Sequence, residues 1–292
     1  MPAGSPAAPI GKRRVTRILR RLWANRLFAI GAVLFGAVLL MALGADILSP
    51  YNPTQNDFRQ RLAAPSWSHL LGTDNYGRDV LSRILHGARV SLRIGAAVTI
   101  ATTFFGIIIG ALAGYVRRLD DLLMRVMDGL MAFPGLLLAI ALAAVLGASE
   151  TNAIIALTVA YTPRAARVVR AAVISVRVME FVEAAHAIGA GHLRILLRHI
   201  LANSTAPLLV QFTYVFGLSI LAEAVLSFIG VGPPPPIATW GSIIAGGRSY
   251  FVEAPWISFY PGIAIALAVL GLNLLGDGLR DVLDPRLKVE AR

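Results

Sequence analysis

The chain of 292 residues is 57% apolar and 15% charged, with a mean hydropathy of +0.69 and a formal net charge of +11. That balance excludes a pair of water-soluble domains and points to a membrane protein, in which topology and anionic lipid account for the basic residues without any nucleic acid. The lack of cysteine removes disulfides, thiol catalysis and iron–sulfur chemistry.

Residues 1–26 hold Lys12, Arg13, Arg14, Arg17, Arg20, Arg21 and Arg26 with no acidic residue, which predicts a cytoplasmic basic tail. Residues 27–49 are apolar for long enough to cross a bilayer core. They are too long for the apolar region of a signal peptide, so a retained first transmembrane helix is expected. An external loop over 50–89 opens with the helix breakers Pro50, Asn52 and Pro53. Within it, Val80, Leu81, Ile84, Leu85 and Ala88 form a helical stripe beside Arg78, Asp79 and Arg83. This is the pattern of a helix lying at the membrane surface, and an ordinary capped helix packed on the bundle fits the same residues.

Residues 90–277 read as the membrane core. A second crossing is expected over 94–116, where Gly106, Gly110 and Gly114 repeat at a spacing of four and predict a packing face inside the subunit. A third, over 126–146, is expected to kink at Pro134, with Arg125 and Asp128 snorkelling at its inner end. The fourth, over 151–170, carries Pro163, Arg164, Arg167 and Arg170; its arginine face should meet the cytoplasm, a partner or a wet cavity. The fifth, over 205–229, contains Glu223 near its outer end, a candidate gate or translocation-pathway residue with a structural hydrogen bond as the alternative. Four prolines at 233–236 impose an extended outer loop, and a sixth crossing follows over 257–276 with Trp256 and Tyr260 at the interface. Residues 278–292 form a second charged tail. Six crossings place both termini on one side, which the Lys and Arg distribution makes the cytoplasm.

Between the fourth and fifth crossings, residues 173–204 form a cytoplasmic loop containing a polar island over 181–203. Read as helix, Leu193, Leu196, Leu197, Ile200 and Leu201 make one apolar stripe, from which Arg194, Arg198 and His199 turn away. Gly189 and Gly191 flank Ala190 and permit a sharp turn after a first short helix that presents Glu183 and His186. A helix-turn-helix elbow results. No G-x-x-x-x-G-K-[ST] pattern occurs, so ATP is bound elsewhere, and the five histidines show no metal-ligand spacing. A self-sufficient secondary transporter would need ionisable pairs at the bilayer midplane and an internal repeat. Glu223 and Asp128 lie instead near opposite ends of their helices.

Glu183, Ala184, Ala185 and Gly189, followed by Arg198, His199, Ile200, Leu201 and Asn203, resemble the EAA coupling loop of ABC importer permeases. Four more stretches resemble the dipeptide, oligopeptide and nickel branch of that superfamily: 71–83 (LGTDNYGRDVLSR), 87–92 (GARVSL), 223–232 (EAVLSFIGVG) with Trp240 and Gly241, and 272–288 (LNLLGDGLRDVLDPRLK). The resemblance implies an all-α integral membrane protein with six transmembrane helices, a type I permease fold and an EAA coupling helix pair. It implies a non-catalytic subunit in the bacterial cytoplasmic membrane, forming half of a pathway for di- or oligopeptides. Nickel or glutathione is the alternative cargo, and a secondary transporter the more distant reading. The implied partners are a second homologous permease, two ATP-binding cassette subunits that carry ATP and Mg, an extracytoplasmic substrate-binding protein and membrane lipid. Glu183, Ala184, Ala185 and Gly189, with Arg194 and Arg198, are the coupling residues it points to. One position departs from the family pattern: Ala202 stands where proline is usual, which leaves the end of the second elbow helix open.

Overall fold

A computed structural model describes residues 20–283; most of the expected amino-terminal tail and the last nine residues of the carboxy-terminal tail lie outside that range. The described residues fold into helices. Helix α1 (Arg26–Leu43) starts at Asn25, whose side chain accepts the Phe28 N–H, and a single turn, α2 (Ala45–Leu48), follows. After a long connection comes α3 (Val80–Tyr115), 36 residues without a break and about 54 Å long at the helical rise.

The surface helix expected near residue 80 is therefore not a separate element. It is the opening of α3: Asp79 accepts the Ser82 N–H as N-cap, and no helix breaker intervenes before the apolar run. Val80, Ile84 and Ala88 pack against Trp240 and Ile243, not against a membrane surface.

The third expected crossing is broken where a kink was predicted. Helices α4 (Arg117–Met131) and α5 (Gly135–Leu146) meet at 83°, with Pro134 in an extended conformation between them. Proline supplies no N–H to bridge the turn, and the residue before it is biased away from helix. Helix α6 (Glu150–Arg177) follows, about 42 Å long. The elbow comprises α7 (Glu180–Ala187) and α8 (His192–Arg194), the latter continued by a π-helical segment, Ile195–Leu201. Helix α9 (Thr205–Phe228), the short α10 (Trp240–Gly247) and α11 (Trp256–Leu283) complete the chain.

Among the described residues, four helices, α1, α3, α9 and α11, are long and apolar enough to cross a membrane, and the bent α4–α5 pair makes a fifth if counted as one span. Helix α6 has the length, but its arginines interrupt the apolar surface. Contacts fix the directions. Arg93 pairs with Glu150 at one end, and Arg177 donates to the Gly114 carbonyl at the other, so α3 and α6 run parallel. The α4–α5 pair, between them in chain order, runs the opposite way along α6, Asp120 meeting Arg170 and the Leu146 carbonyl meeting Asn152. Asn25 donates to Asp281, which sets the start of α1 beside the end of α11.

The glycine repeat of α3 is the intrasubunit packing face the spacing predicts. A Cβ at Gly110 would stand 2.4 Å from the Ala166 carbonyl oxygen, so the two backbones meet at a distance that admits no side chain. The core divides along the bundle into three clusters. One lies at the far end around Trp240, one in the middle around Leu157, and one at the elbow end around Val173.

Candidate functional site

The elbow is a turn with a backbone reason. Gly189 adopts φ +79°, a left-handed value that disfavours any side chain, and its N–H closes the end of α7 on the His186 carbonyl. From there the chain reverses through Ala190 and Gly191 into α8. Two short helices about Gly189 are thus present as the sequence predicts.

The apolar stripe differs. Ile195 and Ile200 are fully buried, whereas Leu193 and Leu197 are 70% and 56% exposed. The cause is the π-helical segment: hydrogen bonds spanning five residues widen the turn, so side chains five apart share a face and the 3.6-residue stripe does not hold. Val182, Ala185, Ile195 and Ile200 pack with Ala111 of α3 and with Val169, Val173 and Val176 of α6. The Tyr115 hydroxyl lies 2.8 Å from His192 Nδ1, a second tie between α3 and the elbow. Outward, the elbow presents Glu183, Ala184, Arg194 and Arg198 among Phe181, Ile188, Leu193 and Leu197. Of the candidate coupling residues only Ala185 faces inward.

Ala202 does not end the helix. Its φ of −60° is the value a proline would impose, and Ser204 N–H bonds to the Ile200 and Leu201 carbonyls across it. The segment therefore joins α9 through Ser204.

The three arginines in the middle of α6, Arg164, Arg167 and Arg170, meet protein groups. Arg170 forms a two-point pair with Asp120 at 2.5 and 2.6 Å, Arg167 pairs with Asp128 at 2.7 Å, and Arg164 donates to the Tyr214 hydroxyl at 3.0 Å. Asp120 and Asp128 are eight residues apart on α4, which matches two turns of helix and brings both to one face. The residue spacing of α6 predicted that its arginines share a face; the aspartates that meet them were not matched to it.

Glu223 is fully buried. The Ser227 hydroxyl donates to its Oε1 at 2.6 Å, one turn along α9, and Trp240 N–H donates to Ser91 nearby, where α10 begins. At the same end, the stretch 71–83 folds as a compact turn before α3. Asp74 accepts Arg78 Nε at 2.7 Å and Arg83 Nη1 at 3.1 Å, and Asp79 caps α3 while its other oxygen lies 2.9 Å from His69 Nδ1. Trp256 Nε1 donates to the Thr73 carbonyl, and Trp240 Nε1 to the Ile84 carbonyl, so two indoles fasten this turn and the head of α3 to the last two helices. Two carboxylates of the motif thus serve local architecture.

Comparison with known proteins gives concordant matches. Residues 103–289 match the family described as the binding-protein-dependent transport system inner membrane component, and residues 15–65 match the N-terminal transmembrane domain of oligopeptide transport permease C. The chain is 54% identical to a putative peptide transport system permease protein of Brucella suis, over 96% of this chain and 95% of that protein. It is 42% identical to a dipeptide transport system permease protein of Alkalihalophilus pseudofirmus, over 92% and 89%. A glutathione transport system permease protein of Pectobacterium atrosepticum is 41% identical over 92% and 91%. Among solved structures, the inward-facing MetNI methionine ABC transporter aligns with a TM-score of 0.53 at 20% identity, covering 66% of this chain and 95% of that one.

Proposed function

Because this chain belongs to the family of binding-protein-dependent transport system inner membrane components, we propose that it is the permease subunit of an ATP-driven ABC importer for small peptides, and that its elbow receives the ATPase. The observation that carries the docking assignment is the split character of the elbow. Val182, Ala185, Ile195 and Ile200 lock it to α3 and α6, while Ile188, Leu193 and Leu197 stay exposed beside Glu183. Apolar side chains at a polar end of a bundle suit a protein partner. Docking of this kind turns closure of two ATPase subunits into rigid-body movement of α6 and α9, which exposes the pathway alternately to each side.

In this reading the elbow end is cytoplasmic, both termini lie there, and α6 and the α4–α5 pair complete six crossings of the inner membrane. ATP and Mg sit on the two cassette subunits. A second, homologous permease supplies the other half of the pathway, and an extracytoplasmic binding protein delivers the solute to the opposite end. Glu183 and Ala184 meet the ATPase, with Arg194 and Arg198 orienting it and Gly189 setting the angle. Glu223 belongs to the closure at the far end, where it joins α9 to the start of α10. The glutathione-transporting relative supports a second cargo class, a modified peptide, through the same pathway.

Glu183→Arg is expected to abolish ATP-driven uptake of dialanine and to lower co-purification of the ATPase subunits, with the subunit still inserted. Gly189→Pro should do the same, since proline cannot adopt φ +79°. Normal uptake and normal co-purification in both variants would remove the elbow from the docking surface.

A further inference from the structure

Arg164 is the odd member of the arginine face. Arg167 and Arg170 each meet an aspartate, but among the described residues Arg164 meets no carboxylate. Its guanidinium is held by Tyr214 alone, through the hydroxyl and over the ring, 4.9 Å from the centroid. Arg164 also stands midway along α6, about 20 Å from Glu150 and from Arg177. A charge at that depth of a spanning helix persists where it faces protein or water.

What it faces is the break between α4 and α5. The 83° bend leaves a cavity of about 340 Å³ whose walls include Phe133, Pro134, Leu136, Tyr161, Arg164 and Leu218. Interrupted backbone at membrane depth is tolerated where it lines such a space. The walls are apolar and aromatic, Arg164 is the one charged residue lining them, and the volume lies within the range of about 300–1,000 Å³ usual for small-molecule sites. A guanidinium has five N–H donors in a planar fork, of which Tyr214 takes one.

We propose that this cavity is a transit subsite for the carboxylate of the transported solute, with Arg164 as its cation. Tyr214 positions the guanidinium, and Phe133, Tyr161 and Leu218 receive the apolar part of the solute. The proposal rests on the peptide-permease reading and narrows it: free-acid peptides fit the subsite, whereas a bare divalent cation is repelled by Arg164.

The test uses the full importer, this chain with its partner permease, ATPase subunits and binding protein, in proteoliposomes with radiolabelled dialanine and alanyl-alaninamide. The native importer should favour the acid, Arg164→Gln should lower dialanine uptake by about tenfold or more and bring the acid-to-amide ratio towards one, and Arg164→Lys should keep about a third of native uptake. An unchanged ratio in Arg164→Gln overturns the subsite. A native importer that moves neither probe sinks the peptide reading itself. Because the chain has no cysteine, Arg164→Cys provides one thiol in it for a variant that keeps its fold. A cationic aminoethyl thiosulfonate should restore uptake and an anionic sulfonatoethyl reagent should not. Equal effects of the two, or no labelling by either, would also overturn the proposal.

Discussion

A methyl group at residue 110 would meet the Ala166 carbonyl oxygen at 2.4 Å, and neither backbone has room to yield without separating α3 from α6. Gly110→Ala should therefore destabilise the subunit by about 1–3 kcal/mol, seen as a lower melting temperature in detergent. A melting temperature at or above the native value would show that the helices are not held so closely. This face was legible because three glycines at a spacing of four put their missing side chains on one line. The tight approach of α1 to α11 was not, since Gly31 faces Gly271 across 240 residues of sequence with no repeat to announce it. Glu223 shows the same limit. Its burial depends on α10, which the sequence places after a proline-rich loop with nothing to say that it folds back over Ser91. Glu223→Ala should lower stability by about 2–4 kcal/mol through the cavity and the stranded Ser227 hydroxyl. Glu223→Gln, which keeps an acceptor oxygen for that hydroxyl, should lower it less. Equal melting temperatures for the native chain and the Ala variant would deny Glu223 a structural part.

At the scale of the element, helix positions were readable and helix faces less so. Apolar length gave most of the crossings, because a spanning helix must satisfy its backbone internally and shows itself as an uninterrupted run. The broken pair α4–α5 was read as one kinked helix because apolar residues continue through Phe133 and Pro134, and composition carries no information about an 83° turn. In the elbow, a period of 3.6 was applied to a segment that winds as a π-helix, so Leu193 and Leu197 were put on one stripe with Ile200, from which the structure separates them. A widened turn leaves no mark in hydropathy. The angle of Ala202 supplies a test: its φ of −60° already suits proline. Ala202→Pro should leave uptake within about twofold of native and leave protease protection of the elbow intact. Loss of both would mean that the Ala202 N–H is needed to join the elbow to α9.

Across the whole molecule, the three clusters divide the labour. The far-end cluster, fastened by Trp240 and Trp256, holds the turn over 71–83 against the last helices; the elbow-end cluster welds α7 and the π-helical segment to α3 and α6. What lies between is looser in one place, the cavity at the helix break, and that is where a passing solute has room. Fold class and the elbow were legible because each leaves a one-dimensional trace: hydropathy or paired glycines. The cavity leaves none, since it is made by four helices, α4, α5, α6 and α9, and depends on the angles at which they meet.

Helix α3 reaches from the fastened turn at Asp79 to the elbow contact at Tyr115 without a break. A single bar of about 54 Å thus joins the fastened turn to the elbow, the proposed receptor end and the proposed ATPase end, on the same rigid body. Events at its two ends are then linked by equilibrium thermodynamics, whatever path the motion takes. If nucleotide on the cassette subunits changes the affinity for the loaded binding protein by some factor, the loaded binding protein must change the affinity for nucleotide by the same factor. Titrating each partner in the presence and absence of the other should return one non-zero coupling free energy, and a coupling of zero would mean that the bar does not join its two ends.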